Sequence, residues 1–412
     1  MKILWLSNGI LSNTDPGYTG TWLEAMAQKL TASDQVMLGN IAAGPVRELT
    51  RRDCPPINQW IVPEIHSGKD GLPQHKIVDR VLRTIESFSP DVTHIWGVET
   101  WWWGLLAARG FIKSPILLEM QGIRGVYARV FSGGLTVQEQ RSCYGPKEFI
   151  MRRSIEKERR KFIICGDFEK EIIQGCRQIA IQTPWIEAWV QAINAECKTY
   201  QTDLVLRQQF YDASPWLPST KEPVLFCSSA YAVPYKGLHD AIRTTALLSR
   251  RYPKIRLRIA GAHQRPGIRQ DGYVRWLNRL CQNLDVADRI DWLGPLSAER
   301  IVTECQNCSA FIMPSHIENC CTSMQEALYL GVPTVSAYAG GVPALAQEEE
   351  AALYFPPGDE AMCSYQVERL LNDRDLSMRL SCNARTVARK RNDPAKIVAN
   401  QLQIYRKVIA AS

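Results

Sequence analysis

The chain has 412 residues, 45% of them hydrophobic and 22% charged, with a formal net charge of +7. That length exceeds one ordinary core and predicts two or three domains of a soluble globular protein. The charge suits acidic ligands or a membrane surface. No zinc-finger, basic-zipper or RNA-binding aromatic motif accompanies it, which sets nucleic acid aside as a partner.

Thirteen cysteines are scattered without a disulfide-like framework, so a reducing cytoplasm is expected. The opening MKILWLSNG breaks at Ser7-Asn8-Gly9 before a signal-peptide core is complete and reads as a first strand. No run of about eighteen apolar residues predicts a membrane span.

In chain order, strand Ile3 to Leu6 leads through the glycine-bearing loop Ser7 to Gly20 into a helix from Thr21 to Leu30. A strand over Val36 to Leu38, a helix over Lys76 to Phe88, and strands over Val92 to Trp96 and Pro115 to Met120 follow, the last delivering Gln121 to its carboxyl end. Trp101, Trp102 and Trp103 read mainly as helix packing, with sugar stacking as the alternative.

Lys147 to Ile173 is basic and amphipathic, and suits either an anionic membrane surface or a solvated face of ion pairs. A short strand from Ile179 and a helix begun by Thr183-Pro184 come next. The proline-rich stretch 212–222 then reads as a linker between a domain of residues 1–211 and one of 223–393, with a last helix over 394–412. After the linker, strands at 224–227, 255–260, 290–293 and 310–313 alternate with helices, as in a doubly wound parallel sheet. Neither a G-x-G-x-x-G fingerprint nor a P-loop is present.

The most informative stretch is 310–341, AFIMPSHIENCCTSMQEALYLGVPTVSAYAGG. It reads strand, loop, helix, strand, with Glu318 and Glu326 bracketing the loop and the first helical turns. A helix start at the carboxyl end of a parallel strand offers amides to an anion, and a carboxylate accepts from sugar hydroxyls. This segment resembles the E-x7-E region of family-4 retaining glycosyltransferases of the GT-B fold.

That resemblance implies two facing Rossmann-like domains and a terminal helix, 394–412, crossing back to the first. It also implies sugar transfer from a nucleotide-diphosphate sugar to a carbohydrate or lipid-linked acceptor, without metal or other cofactor, in polysaccharide or glycolipid biosynthesis. The setting is the cytoplasm, with a peripheral place at the inner membrane face left open. By the same resemblance, Lys236 in Pro234-Tyr235-Lys236-Gly237 neutralises the departing diphosphate and Glu318 contacts the donor sugar near the reaction centre. Glu326 accepts from the ribose; Asn319, Cys320, Cys321 and Thr322 offer amides; Gly340 and Gly341 permit close approach. Gly17 and Gly20 occupy the glycine loop of the first domain, and Gln121 stands where many members carry histidine.

An arginine usual before that lysine is replaced by Ala230-Tyr231, so either Arg207, another basic residue or the helix dipole compensates, or the donor chemistry is compromised. The cysteines at 305, 308, 320 and 321 read as buried apolar residues rather than zinc ligands, and His239, His263 and His316 as isolated. Two rival readings keep the fold: a nucleotide-sugar epimerase or phosphorylase, and a noncatalytic binding subunit.

Overall fold

The computed structural model describes residues 1–11, 21–32, 35–64, 67–218, 222–261 and 267–411. They form two compact units: unit 1 is Met1–Val126, Ile163–Leu206 and Asn392–Ser412, and unit 2 is Tyr127–Phe162 and Arg207–Arg391. The boundaries therefore differ from those expected at 211, 222 and 393. Residues 127–162 belong with unit 2 although they interrupt unit 1 in sequence. The described part of the expected linker is packed within unit 2, where buried Trp216 donates its indole N–H to the Cys308 carbonyl at 2.8 Å.

Unit 1 is built on an eight-stranded sheet. Its strands are β1 (Lys2–Ser7), β2 (Met37–Gly44), β3 (Thr50–Cys54), β4 (Ile57–Pro63), β5 (Val92–Trp96), β6 (Ile116–Glu119), β7 (Gln178–Ile181) and β8 (Lys198–Gln201). The order is β3-β4-β2-β1-β5-β6-β7-β8, parallel throughout except for the β3–β4 hairpin. Apolar runs such as Ile3 to Leu6 are buried on both faces, as the parallel arrangement requires. Trp102 and Trp103 are buried, and Trp101 donates to the Gly71 carbonyl and stacks on Phe168, so all three serve packing.

The last helix, Pro394–Ala410, belongs to unit 1 and is tied in by a buried polar network. Tyr405 Oη accepts from Trp5 Nε1 at 3.1 Å and lies 2.8 Å from His94 Nδ1. His94 Nε2 is 3.5 Å from Glu119, which accepts from Gln182 and Thr202. Burial lowers the His94 pKa against the opposing pull of Glu119, so the ring is neutral.

Unit 2 carries six strands: β9 (Val224–Ser228), β10 (Arg256–Ala260), β11 (Ile290–Gly294), β12 (Ala310–Met313), β13 (Thr334–Ala337) and β14 (Leu353–Phe355). All pairings are parallel, in the order β11-β10-β9-β12-β13-β14. The chain winds outward from β9 in one direction and from β12 in the other. Their carboxyl ends flank the point where the order reverses, the usual crevice of such sheets.

Candidate functional site

The switch point of unit 2 collects Lys236, Glu318, Glu326 and the loop between the two glutamates. After β9 the chain makes one turn, Pro234–Lys236, and enters the helix Leu238–Ser249 through Gly237 at φ +66°. A Cβ at Gly237 would stand 2.0 Å from the Pro314 carbonyl oxygen, so only glycine lets this turn lie against the loop after β12. The two loops are stitched again where the His316 amide donates to the Tyr235 carbonyl at 2.7 Å.

That contact places Lys236 Nζ on Glu318, to which it donates. Burial works against the Lys236 charge, but the Glu318 carboxylate more than reverses it and holds the lysine pKa above its ordinary value. An ammonium has three donors, so Lys236 keeps protons for a second anion while it holds Glu318.

Glu326 lies in the buried face of the helix Thr322–Leu330. Arg207 grips it with a fork, Nε to Oε1 and Nη2 to Oε2, both at 2.8 Å, and the guanidinium rests 5.0 Å from the Phe210 ring centroid. Burial raises the Glu326 pKa while Arg207 opposes the rise. Arg207 is thus committed to the carboxylate expected to hold the ribose.

Between the two glutamates, Asn319 is buried and Thr322 opens the helix, whose first amides have no intrahelical acceptor. Gly340 has φ +57°, and a Cβ there would meet the Glu318 carbonyl oxygen at 2.1 Å. The Gly341 amide donates to that same oxygen at 2.9 Å, fixing the backbone under Glu318. Cys320 Sγ accepts from Gln325 at 3.0 Å, and burial pushes the Cys321 thiol up to about 11, so Cys321 is not a thiolate near neutrality. Gly17, Gly20 and His263 lie outside the described residues.

His239 and His316 are not isolated, contrary to expectation. His316 Nε2 is 2.7 Å from Asp240 Oδ2, and His239 Nε2 is 3.4 Å from Asp240 Oδ1. His239 also bonds the Tyr273 hydroxyl and the Gly133 carbonyl. The sequence signal was the Lys236-Gly237-Leu238-His239-Asp240 run, which puts an acid one turn beyond the lysine.

Gln121 belongs to unit 1, two residues past β6, beside Gly97: a Cβ there would approach the Gln121 amide carbon to 3.3 Å and Glu99 to 2.1 Å. Glu99 accepts from Asn8 at 3.0 Å and pairs with Arg124 at 3.3 Å. These groups gather at the carboxyl ends of β1, β5 and β6, where the order of that sheet also reverses. Sequence reading found Gln121 and missed Asn8, Glu99 and Arg124.

Residues 213–387 match the family model described as "Glycosyl transferases group 1". Among curated relatives, an uncharacterized glycosyltransferase of Bacillus subtilis, YqgM, is 27% identical over 178 residues, 43% of this chain and 47% of that protein. A D-inositol 3-phosphate glycosyltransferase of Corynebacterium efficiens is 30% identical over 181 residues, 43% of this chain and 41% of that protein. The matched stretches thus span less than half the length of these relatives.

Among solved structures, a sucrose-phosphate synthase from Thermosynechococcus elongatus aligns over 100% of both chains with TM-score 0.75 and 17% identity. Anabaena HepE in complex with UDP-glucose aligns over 100% of both chains with TM-score 0.66 and 17% identity. The chain has the GT-B fold, and across residues 213–387 it carries the sequence pattern of glycosyl transferases group 1.

Proposed function

We propose that this protein is a retaining glycosyltransferase that moves a sugar from a nucleoside-diphosphate sugar to a carbohydrate or lipid-linked acceptor, in polysaccharide or glycolipid assembly, without a metal. The observation that carries the reading is the convergence of Lys236, Glu318 and the start of the Thr322–Leu330 helix on one switch point. Departure of a nucleoside diphosphate builds negative charge on phosphate, which a fixed ammonium and oriented amides stabilise directly. Glu318 accepts from hydroxyls of the sugar ring and favours the positive charge developing there. Glu326, oriented by Arg207, retains lone pairs for the ribose. Gln121 hydrogen-bonds a sugar hydroxyl but cannot act as a base near neutrality.

The family match and the UDP-glucose complex of HepE support a nucleotide-sugar donor. Incubation with UDP-, GDP- and ADP-sugars and added saccharide or glycolipid acceptors, read by mass spectrometry and by anomeric NMR couplings, is expected to give a product of retained configuration. An inverted product, or free epimer released without acceptor, overturns the reading.

The engagement of both Lys236 and Arg207 by glutamates favours one second reading, a noncatalytic sugar-nucleotide-binding subunit. That reading predicts that Glu318→Ala leaves product formation in cells unchanged. Loss of product with the fold retained rejects it.

A further inference from the structure

Residues 127–162 are fixed firmly to unit 2. Glu139 pairs with Arg243 at 2.6 Å, and Lys147 with Asp271 at 2.6 Å. Glu148 accepts from the Gly272 amide at 2.8 Å, and Arg279 donates to the Ser142 carbonyl at 2.8 Å. Within the basic stretch from Lys147 to Ile173 the helix is interrupted. A short helix, Pro146–Ile150, ends, Arg152 takes φ +50°, and a new helix starts at Ile155.

The break leaves three consecutive apolar side chains in solvent: Phe149 is 71% exposed, Ile150 68% and Met151 47%. In the residues that follow, Arg152, Arg153, Lys157, Arg160 and Lys161 are exposed. From 147 to 161 the chain has seven basic and three acidic residues, a net +4. Glu148 is turned inward to the Gly145 and Gly272 amides and Lys147 is held by Asp271, while Glu156 pairs with Arg159 and Arg160 and Glu158 with Lys161, so six basic residues remain against two acids.

We propose that this stretch is a docking surface for an anionic lipid bilayer. Phe149, Ile150 and Met151 enter the boundary between headgroups and acyl chains, and the cations that follow them meet lipid phosphates. The succession of exposed apolar side chains and a net basic stretch is complementary to such a surface in both hydrophobicity and charge. A second protein copy would bring the same positive field against itself, which disfavours self-association here. No described helix is long and apolar enough to cross a membrane, so the contact is with its surface. The inference does not depend on the donor chemistry proposed above.

The test is co-sedimentation of the full chain with vesicles of phosphatidylcholine alone and of phosphatidylcholine mixed with phosphatidylglycerol. Binding to the anionic vesicles, lost in high salt, is expected. The triple change Phe149→Ser, Ile150→Ser, Met151→Ser should lower partitioning about tenfold or more, with unchanged melting temperature because all three are exposed. The pair Arg152→Gln and Arg153→Gln should lower it several-fold without touching the apolar residues. Failure of the unaltered protein to bind anionic vesicles overturns the proposal. So does equal binding by both variants, or a dimer abolished by the triple change in the absence of vesicle binding.

Discussion

Glu326 is a buried carboxylate whose charge is sustained by the two-pronged contact with Arg207. Removing the arginine strands that charge, and breaking a buried pair in this way typically costs about 3–5 kcal/mol. Arg207→Met should therefore be strongly destabilised at neutral pH. Without Arg207 the folded-state pKa of Glu326 rises further above its unfolded value. The folded variant then holds a proton the unfolded chain has lost, and its deficit shrinks as pH falls towards the carboxylate range. Urea unfolding at neutral and mildly acidic pH reads this directly; a deficit independent of pH would mean that Glu326 does not carry the cost.

Glu169, in unit 1, gives a second pH signature. Burial raises its carboxyl to about 7, against the Arg124 and Gly125 amides that donate to it at 2.8 and 3.3 Å. Between pH of about 4.5 and 7 the folded chain binds this proton and the unfolded chain does not, so stability is lost as pH rises through that window, by about 3 kcal/mol. Glu169→Gln should gain melting temperature relative to the unaltered protein across the same window. A constant difference would contradict the assignment.

At this scale the sequence was readable where a residue sits in a dense motif. Glu318, Glu326 and Lys236 are flanked by Pro-Ser, Lys-Gly and Gly-Gly, which announce loops and helix starts. Arg207 was not readable in the same way, because an ion pair between residues far apart in sequence leaves no local trace. Its guanidinium is bound to Glu326, 119 residues away in sequence.

Among elements, the loop from β12 to the helix Thr322–Leu330 depends on backbone approaches more than on side chains. Gly340→Ala would place a Cβ 2.1 Å from the Glu318 carbonyl oxygen and hold alanine at φ +57°. The unfavourable backbone alone costs about 1–2 kcal/mol. The account predicts that the loop is displaced and that nucleotide-sugar affinity falls more than the melting temperature does. Intact affinity with lowered stability would show that Gly340 is only structural.

The regular strand and helix alternation of unit 2 was legible because inner strands such as β9 and β12 are largely buried and read as apolar runs. The hairpin partner β3, TRRDC, was not, since its residues are exposed and polar. Nor was the break after Ile150, where Arg152 adopts a left-handed conformation that no glycine or asparagine signals.

For the whole molecule, the two parallel sheets were predictable from composition and period, while the division of the chain between them was not. The excursion of 127–162 into unit 2 rests on pairs such as Glu139 with Arg243, more than a hundred residues apart. Only the three-dimensional arrangement makes such contacts visible. The same arrangement breaks the basic stretch after Ile150, leaving Phe149, Ile150 and Met151 exposed ahead of a helix whose Glu156 and Glu158 pair with Arg159, Arg160 and Lys161.

The central claim is that the switch point of unit 2 holds a nucleoside diphosphate through Lys236. Isothermal titration of UDP, GDP and ADP against the unaltered protein and Lys236→Met tests it most directly. Saturable binding of at least one nucleotide is expected, with a loss of about tenfold or more in affinity on removing the ammonium. Binding of none of them, or equal affinity in the variant, would contradict it.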